Sequence, residues 1–160
     1  MDYLTADQAA QSIFPDADHF DSKPVNLDAG QLAKLDLLRI RARSAHWTVK
    51  SAQRGATPLG YVIVDDVVGK FELITYAVGS GLDSVVKQVE ILSYRESHGH
   101  EIRLAAWRRQ FVGKTAASAL RNGDGIANIS GATLSCSHVT EGVKRIVAVV
   151  DLVRRSGALS

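Results

Sequence analysis

The chain has 160 residues, a length that suits one domain with one core. Its 19 basic and 17 acidic residues leave a net charge of +2, and apart from Arg103, Arg108, Arg109 and Lys114 the basic residues are scattered, so nothing points to nucleic acid. A lone cysteine, Cys136, excludes an internal disulfide and a cysteine-rich metal site, and no apolar run reaches the roughly 18 residues of a membrane span.

Taken from the N-terminus, Thr5-Ala6-Asp7-Gln8 reads as a capping box, with Ala9, Ile13 and Phe14 following as the apolar positions of a helix that Pro15 stops. Met1-Asp2 leads directly into that polar helix, so no signal peptide is read. Residues 16–25 are polar and read as a connector. Asp28-Ala29-Gly30-Gln31 is a second box, and Leu32, Leu35, Leu38 and Ala42 continue as one helical stripe. Strand signals occupy 46–49, 60–68, 70–78 and 84–94, all rich in Val, Ile, Tyr and Thr. Val68-Gly69-Lys70 reads as a turn or bulge, and 79–83 as a hairpin loop. Both faces of 61–64 are apolar, which implies a strand placed centrally or covered on both sides.

Further on, 95–101 reads as a loop, 102–111 as a short helix and 115–125 as a mobile connection. The last element is the clearest. Val139, Val143, Ile146, Val150 and Val153 recur at steps of 4, 3, 4 and 3, one face of a helix over 133–155. The spacing predicts Val143, Ile146 and Val150 buried and Lys144, Arg145 and Asp151 exposed. The order of elements predicts an α+β fold: a twisted antiparallel sheet packed with helices, ending in a long C-terminal helix. One domain is expected over 1–160, divided into a helical segment (1–45), a β-meander (46–94) and a final part (95–160) with loops and the last helix.

The most informative stretch opens that helix: Asn128-Ile129-Ser130-Gly131-Ala132-Thr133-Leu134-Ser135-Cys136. Small residues at its centre let another group approach the backbone. A helix starting here aims free N–H groups and a positive dipole end at whatever lies above Thr133, which makes a phosphate-sized anion site. An ordinary N-cap before a core-facing helix explains the same residues. Glu96-Ser97-His98-Gly99-His100-Glu101 gathers two His and two Glu, but the spacing matches no standard zinc site. Cys136 and His138 do not face each other at i, i+2, and Asp65-Asp66 in a strand point to opposite faces, so neither pair makes a catalytic couple.

Ser130-Gly131-Ala132-Thr133-Leu134-Ser135 has the form S-G-A-T-x-S, and opening a C-terminal helix it resembles the signature of the FMN-binding domain family. That family includes the flavin subunits of the sodium-pumping NADH:quinone reductase and of the Rnf complex. Two further blocks stand in the family's order. Glu96-Ser97-His98-Gly99 is similar to an E-T-P-G-type loop, and Gln110-Phe111-Val112-Gly113-Lys114 to Q-F-x-G-K. The resemblance implies FMN as cofactor, attached to Thr133 through a phosphoester by a dedicated flavin transferase. It implies phosphate hydrogen bonds from Ser130 and Ser135 and close approach over Gly131 and Ala132. Trp107, Phe111 and Leu134 would flank the flavin ring, although Trp107 and Phe111 at i, i+4 fit plain core packing equally. Glu96, Ser97, His98 and Gly99 would meet the ring's polar edge. Lys114 would sit near the pyrimidine or the phosphate, or else be a solvated lysine after a turn. The two loops at 96–99 and 130–135 should then be neighbours in space.

Many covalently flavinylated members carry an acidic residue where this chain has Ala127. On the resemblance the chain is an electron-transfer module with no catalytic residues of its own, working with soluble or membrane redox partner proteins. A flavin-dependent reductase with its own acceptor, or a non-flavin binding domain of the same fold, are the alternatives. The family is mostly extracytoplasmic, which implies a periplasmic site with the export signal outside this chain; a cytoplasmic site is the alternative.

Overall fold

Five strands lie in one sheet in the order in which they occur in the chain, and every neighbouring pair is antiparallel. They are β1 (His19–Asn26), β2 (His46–Arg54), β3 (Thr57–Val68), β4 (Leu73–Gly81) and β5 (Val86–Tyr94). Helix α1 (Ala6–Ile13) precedes the sheet, and α2 (Ala29–Leu37) lies between β1 and β2. After β5 come α3 (Ala105–Arg108), flanked by 3-10 turns, a two-residue pair β6 (Arg121–Asn122) and β7 (Gly125–Ile126), and α4 (Thr133–Arg155). This computed structural model describes residues 2–96 and 100–159. The α+β expectation holds, and the meander runs from β1 to β5.

Both predicted capping boxes form. Thr5 and Asp28 each accept from the backbone of the residue three positions on, and Gln8 and Gln31 return the bond. Expected connector 16–25 is instead largely strand β1. Its Asp21, Ser22, Lys23 and Pro24 are weak strand formers, but the strand is at the sheet edge and mostly exposed, where polar residues and proline are tolerated.

Central strand β3 explains the two-faced apolar run at 61–64: Tyr61, Val62 and Ile63 are all buried. One face of the sheet carries α1, whose Ala9, Ala10, Ile13 and Phe14 join Val62, Ala77 and Leu92 in a small core. The other face carries α4, with Val139, Val143, Ile146, Val150 and Val153 in the main core. Each such aliphatic burial stabilises by roughly 1.5–3 kcal/mol. Gly142 sets how close α4 comes: a Cβ there would lie 2.1 Å from the Tyr76 hydroxyl. Tyr76 is fully buried, and its hydroxyl donates to Asp65 Oδ2 at 3.1 Å.

Helix α4 matches the expected span, and Val143, Ile146 and Val150 are buried as predicted. Lys144 and Asp151 are half-buried and not fully exposed, and Arg145 departs furthest from expectation: it is 6% exposed, not on the solvent face. Beyond the apolar stripe, the loop at 38–45 covers this flank of the helix, and the Arg145 Nε donates to the Arg41 carbonyl. The outer edge of β5 is covered at both ends. Tyr3 N donates to the Leu92 carbonyl at one end, and Val86 exchanges backbone bonds with Gly113 and Lys114 at the other. The connection at 115–125 contains β6 and a turn closed by Thr115 N donating to Ser118 Oγ at 2.9 Å.

Candidate functional site

The chain enters α4 through Gly131 at φ +83, a left-handed conformation that only glycine adopts without strain. Ala132 is the N-cap and has no side-chain oxygen, so no cap bond is made. The first intrahelical bond runs from Cys136 N to the Ala132 carbonyl at 2.9 Å. The N–H groups of Thr133, Leu134 and Ser135 are therefore left open, with the positive end of a 23-residue helix behind them. Thr133 is exposed. Its Oγ1 accepts from Asn128 Nδ2 at 3.2 Å, and Asn128 Oδ1 accepts from Asn122 Nδ2 at 3.0 Å. These amides hold the Thr133 hydroxyl at the surface, where another molecule can reach it.

The loop leading to this turn is clamped on its backbone. Ala127 N donates to Gln110 Oε1, and the Ala127 carbonyl accepts from Trp107 Nε1, both at 2.8 Å. Gln110 Nε2 donates in turn to the Trp107 carbonyl at 3.0 Å. Trp107 is nearly buried and meets the fully buried Phe111 edge to face, with centroids 5.2 Å apart. This is the core-packing alternative for both rings. Trp107 supports the approach to the motif from behind, and Phe111 presents no open face.

The expected meeting of the two loops is seen at Glu96 and Ser135. A Cβ on Gly69 would lie 3.0 Å from Glu96 Oε1 and 3.1 Å from Ser135 Oγ, so both groups border that glycine. Glu96 Oε1 accepts from Phe71 N at 2.6 Å and Glu72 N at 2.8 Å. Those two N–H groups, Glu72 first, hold the carboxyl below its ordinary pKa. Glu96 thus organises the turn between β3 and β4. Ser97, His98 and Gly99 lie outside the described residues.

Ser135 is buried, and its hydroxyl lies 3.3 Å from the Tyr94 hydroxyl, so its side chain faces the interior and not a phosphate above the helix start. Burial raises the pKa of Tyr94 and of the Cys136 thiol, which makes Cys136 an unreactive core group. Ser130, Gly131, Thr133 and Leu134 remain exposed at the helix start, with Ala132 buried among them. Lys114 is not brought to them. Its carbonyl accepts from Val86 N, at the end of β5 remote from Tyr94 and Glu96, about 27 Å away for nine strand residues. Exposed apolar residues do belong to this end, among them Val68, Phe71, Leu73 and Leu134. Phe71, 77% exposed, was missed in the sequence, where an aromatic residue directly after Gly69-Lys70 in a tight turn was the available signal.

The model of the FMN-binding domain family matches residues 69–148, half of the chain, from the Gly69 turn through most of α4. The chain belongs to the FMN-binding domain family. Family membership makes FMN its cofactor. The fold is similar to that of NqrC from Shewanella oneidensis, with a TM-score of 0.59 and 14% identity over 93% of this chain and 87% of that one. No curated protein matches the chain. The residues present fit the group. An uncapped helix start with open N–H groups suits a phosphate, and a Cβ on Gly131 would meet nothing within 4 Å, so there is room above the turn. Val68, Phe71 and Leu134 supply apolar surface for a flat ring.

Proposed function

We propose that this chain is an FMN-carrying electron-transfer domain whose flavin is joined by a phosphoester to Thr133. The observation that carries the reading is the exposed Thr133 hydroxyl, held by Asn128 at the uncapped start of α4. When bound, FMN supplies one- and two-electron redox chemistry. The residues of this chain do the rest. Open N–H groups of Thr133, Leu134 and Ser135 stabilise the phosphate charge, and the Ser130 hydroxyl lies close enough in sequence to add a bond. Leu134 and Phe71 shield part of the ring. Trp107 and Gln110 fix the approach through Ala127, and Glu96 fixes the turn that carries Phe71.

Esterification forms a bond from the Thr133 oxygen to the FMN phosphorus as the phosphoanhydride bond of a flavin dinucleotide donor breaks, the nucleoside monophosphate leaving with the bonding pair and the hydroxyl proton passing to solvent, and it requires a flavin transferase as partner. A site exposed on a helix start is open to that enzyme and to redox partner proteins alike, which favours a carrier over a reductase with its own acceptor pocket. The family resemblance supports a periplasmic location. Coexpression with a flavin transferase should add the mass of FMN less water to the intact protein. Thr133→Ala should abolish the adduct while leaving weak binding of free FMN. An unlabelled wild type that also binds no free FMN would remove the reading. If the wild type stays unlabelled yet binds free FMN, Ala127→Asp should restore labelling, because Ala127 is exposed and an added carboxylate has space.

A further inference from the structure

Along α4 from Thr133, the helix closes a cavity of about 760 Å³ against the loop at 38–45 and against β6. Its walls are strongly basic. Arg39, Arg41 and Arg43 come from the loop, Arg121 from β6, and Lys144 and Arg145 from α4. Glu141 is the one carboxylate among the lining residues. Arg43 pairs with Asp65 at 3.6 Å, whereas the other five cations have no ion-pair partner among the described residues. About four positive charges therefore remain uncompensated around one concavity.

Arg145 is the decisive residue. It is 6% exposed, and its Nη1 is buried with no hydrogen-bond partner. Burial outweighs the support that Asp65 and Glu141 give its charge, and a buried guanidinium whose hydrogen bonds are incomplete is costly, so stability alone would favour an apolar side chain there. Burial also holds its pKa below the ordinary arginine value. The loop opposite adds a second unfavourable feature. Arg39 at φ +57 and Arg43 at φ +63 are both left-handed, a conformation rare for residues with a Cβ and concentrated at functional sites. Asn122 also lines the cavity, and its buried Oδ1 accepts no hydrogen bond, leaving an acceptor for a hydroxyl or amine donor.

We propose that this cavity binds a soluble diphosphate ester, with Arg145 as its innermost cation. A single phosphate would meet only part of the charge, and the volume is that of a small-molecule site. Concavity and a buried cation disfavour a flat acidic protein surface, which could not reach Arg145. The site is separate from the proposed flavin attachment and does not rest on it. Thr133, Ser137, Glu141 and Lys144 nevertheless share one stripe of α4 at steps of 4, 4 and 3, and Ser137 lines the cavity. Asn122 further links the cavity to Thr133 through Asn128. The ligand would thus lie about 6–18 Å along the helix from Thr133.

The test is titration calorimetry and thermal shift on the full chain with pyrophosphate and with ADP. Binding of either, weakened by added salt, is expected, with orthophosphate weaker by about tenfold. Arg145→Met should weaken binding by about tenfold or more, and should keep or raise the Tm because it removes a buried cation whose Nη1 has no hydrogen-bond partner. Arg121→Gln, at an exposed position, should weaken binding by roughly threefold without affecting folding. The proposal is overturned if neither pyrophosphate nor ADP binds or shifts the Tm, or if both variants bind as tightly as the wild type. It is also overturned if only phosphatidylglycerol vesicles or polyglutamate bind, since the cavity would then be a membrane or protein contact.

Discussion

Gly142→Ala sets helix propensity against packing. In an isolated helix, alanine is better than glycine by about 1 kcal/mol. Here the new Cβ would lie 2.1 Å from the Tyr76 hydroxyl oxygen, 2.7 Å from its Cζ and 3.1 Å from Val67 Cγ1. Tyr76 is fully buried on β4 and cannot swing into solvent. Either α4 lifts from the sheet, or the ring turns and releases Asp65. Overpacking of this kind costs about 1–3 kcal/mol, and loss of a hydrogen bond to a charged group about 1.5–3 kcal/mol. Set against the propensity gain, the expected net destabilisation is about 2–4 kcal/mol. Urea unfolding should show a lower midpoint at unchanged slope, and Tm should fall by roughly 5–15 °C for a chain of this size. Tyr76→Phe removes the nearest clashing atom. It should destabilise alone but recover part of the loss in the Gly142→Ala background, a non-additivity of about 1 kcal/mol. A Gly142→Ala protein as stable as the wild type would refute the packing argument.

Other outcomes can be stated more briefly. Glu96→Gln should lower Tm at neutral pH, and the gap to the wild type should close in acid. Glu96 has a folded pKa below its ordinary 4.5, so its contribution is present above the unfolded value and is lost as pH falls through the folded one. A gap that persists at low pH would show that the carboxylate charge is not what holds the turn. Trp107→Phe should cost about 1 kcal/mol through the lost bond to the Ala127 carbonyl and reduce transferase labelling at Thr133; unchanged labelling would mean that the clamp does not position the motif. Phe71→Ser should leave the Tm nearly unchanged, since the ring is exposed, but weaken binding of free FMN in the Thr133→Ala protein, as measured by fluorescence quenching.

How much of this was legible depends on whether the deciding physics is local. Capping boxes at Thr5 and Asp28 are contained in four residues each, and both formed. The 4-3 spacing of valines located α4 to its observed ends, because one amphipathic face against a sheet is enough to specify it. Strand β1 was not legible: an edge strand needs little apolar pattern, and Lys23-Pro24 reads as a break. Arg145 was misplaced for a related reason. A stripe predicts the face on the sheet but not the loop at 38–45 that covers the helix flank. Lys114 follows Phe111 closely in sequence, yet the chain turns there to pair with the start of β5, which takes it away from the site.

The arginines at 39, 41 and 43 show where local reading stops. As three cations spaced by two on a loop they look like solvated surface, and the positive φ of Arg39 and Arg43 has no sequence signature. They form a basic site only because β6 and α4 bring Arg121, Lys144 and Arg145 to the same concavity from far along the chain. Helix α4 is what relates this cavity to the rest of the domain. Its first turn presents Thr133, its middle is seated on Tyr76 through Gly142, and its next residues carry Lys144 and Arg145. Close packing at the middle makes α4 the element through which a shift at one end can be passed to the other. On the readings proposed here, labelling of Thr133 measured with and without pyrophosphate should change if occupancy of the cavity shifts α4, and should stay the same if only the Arg145 side chain rearranges.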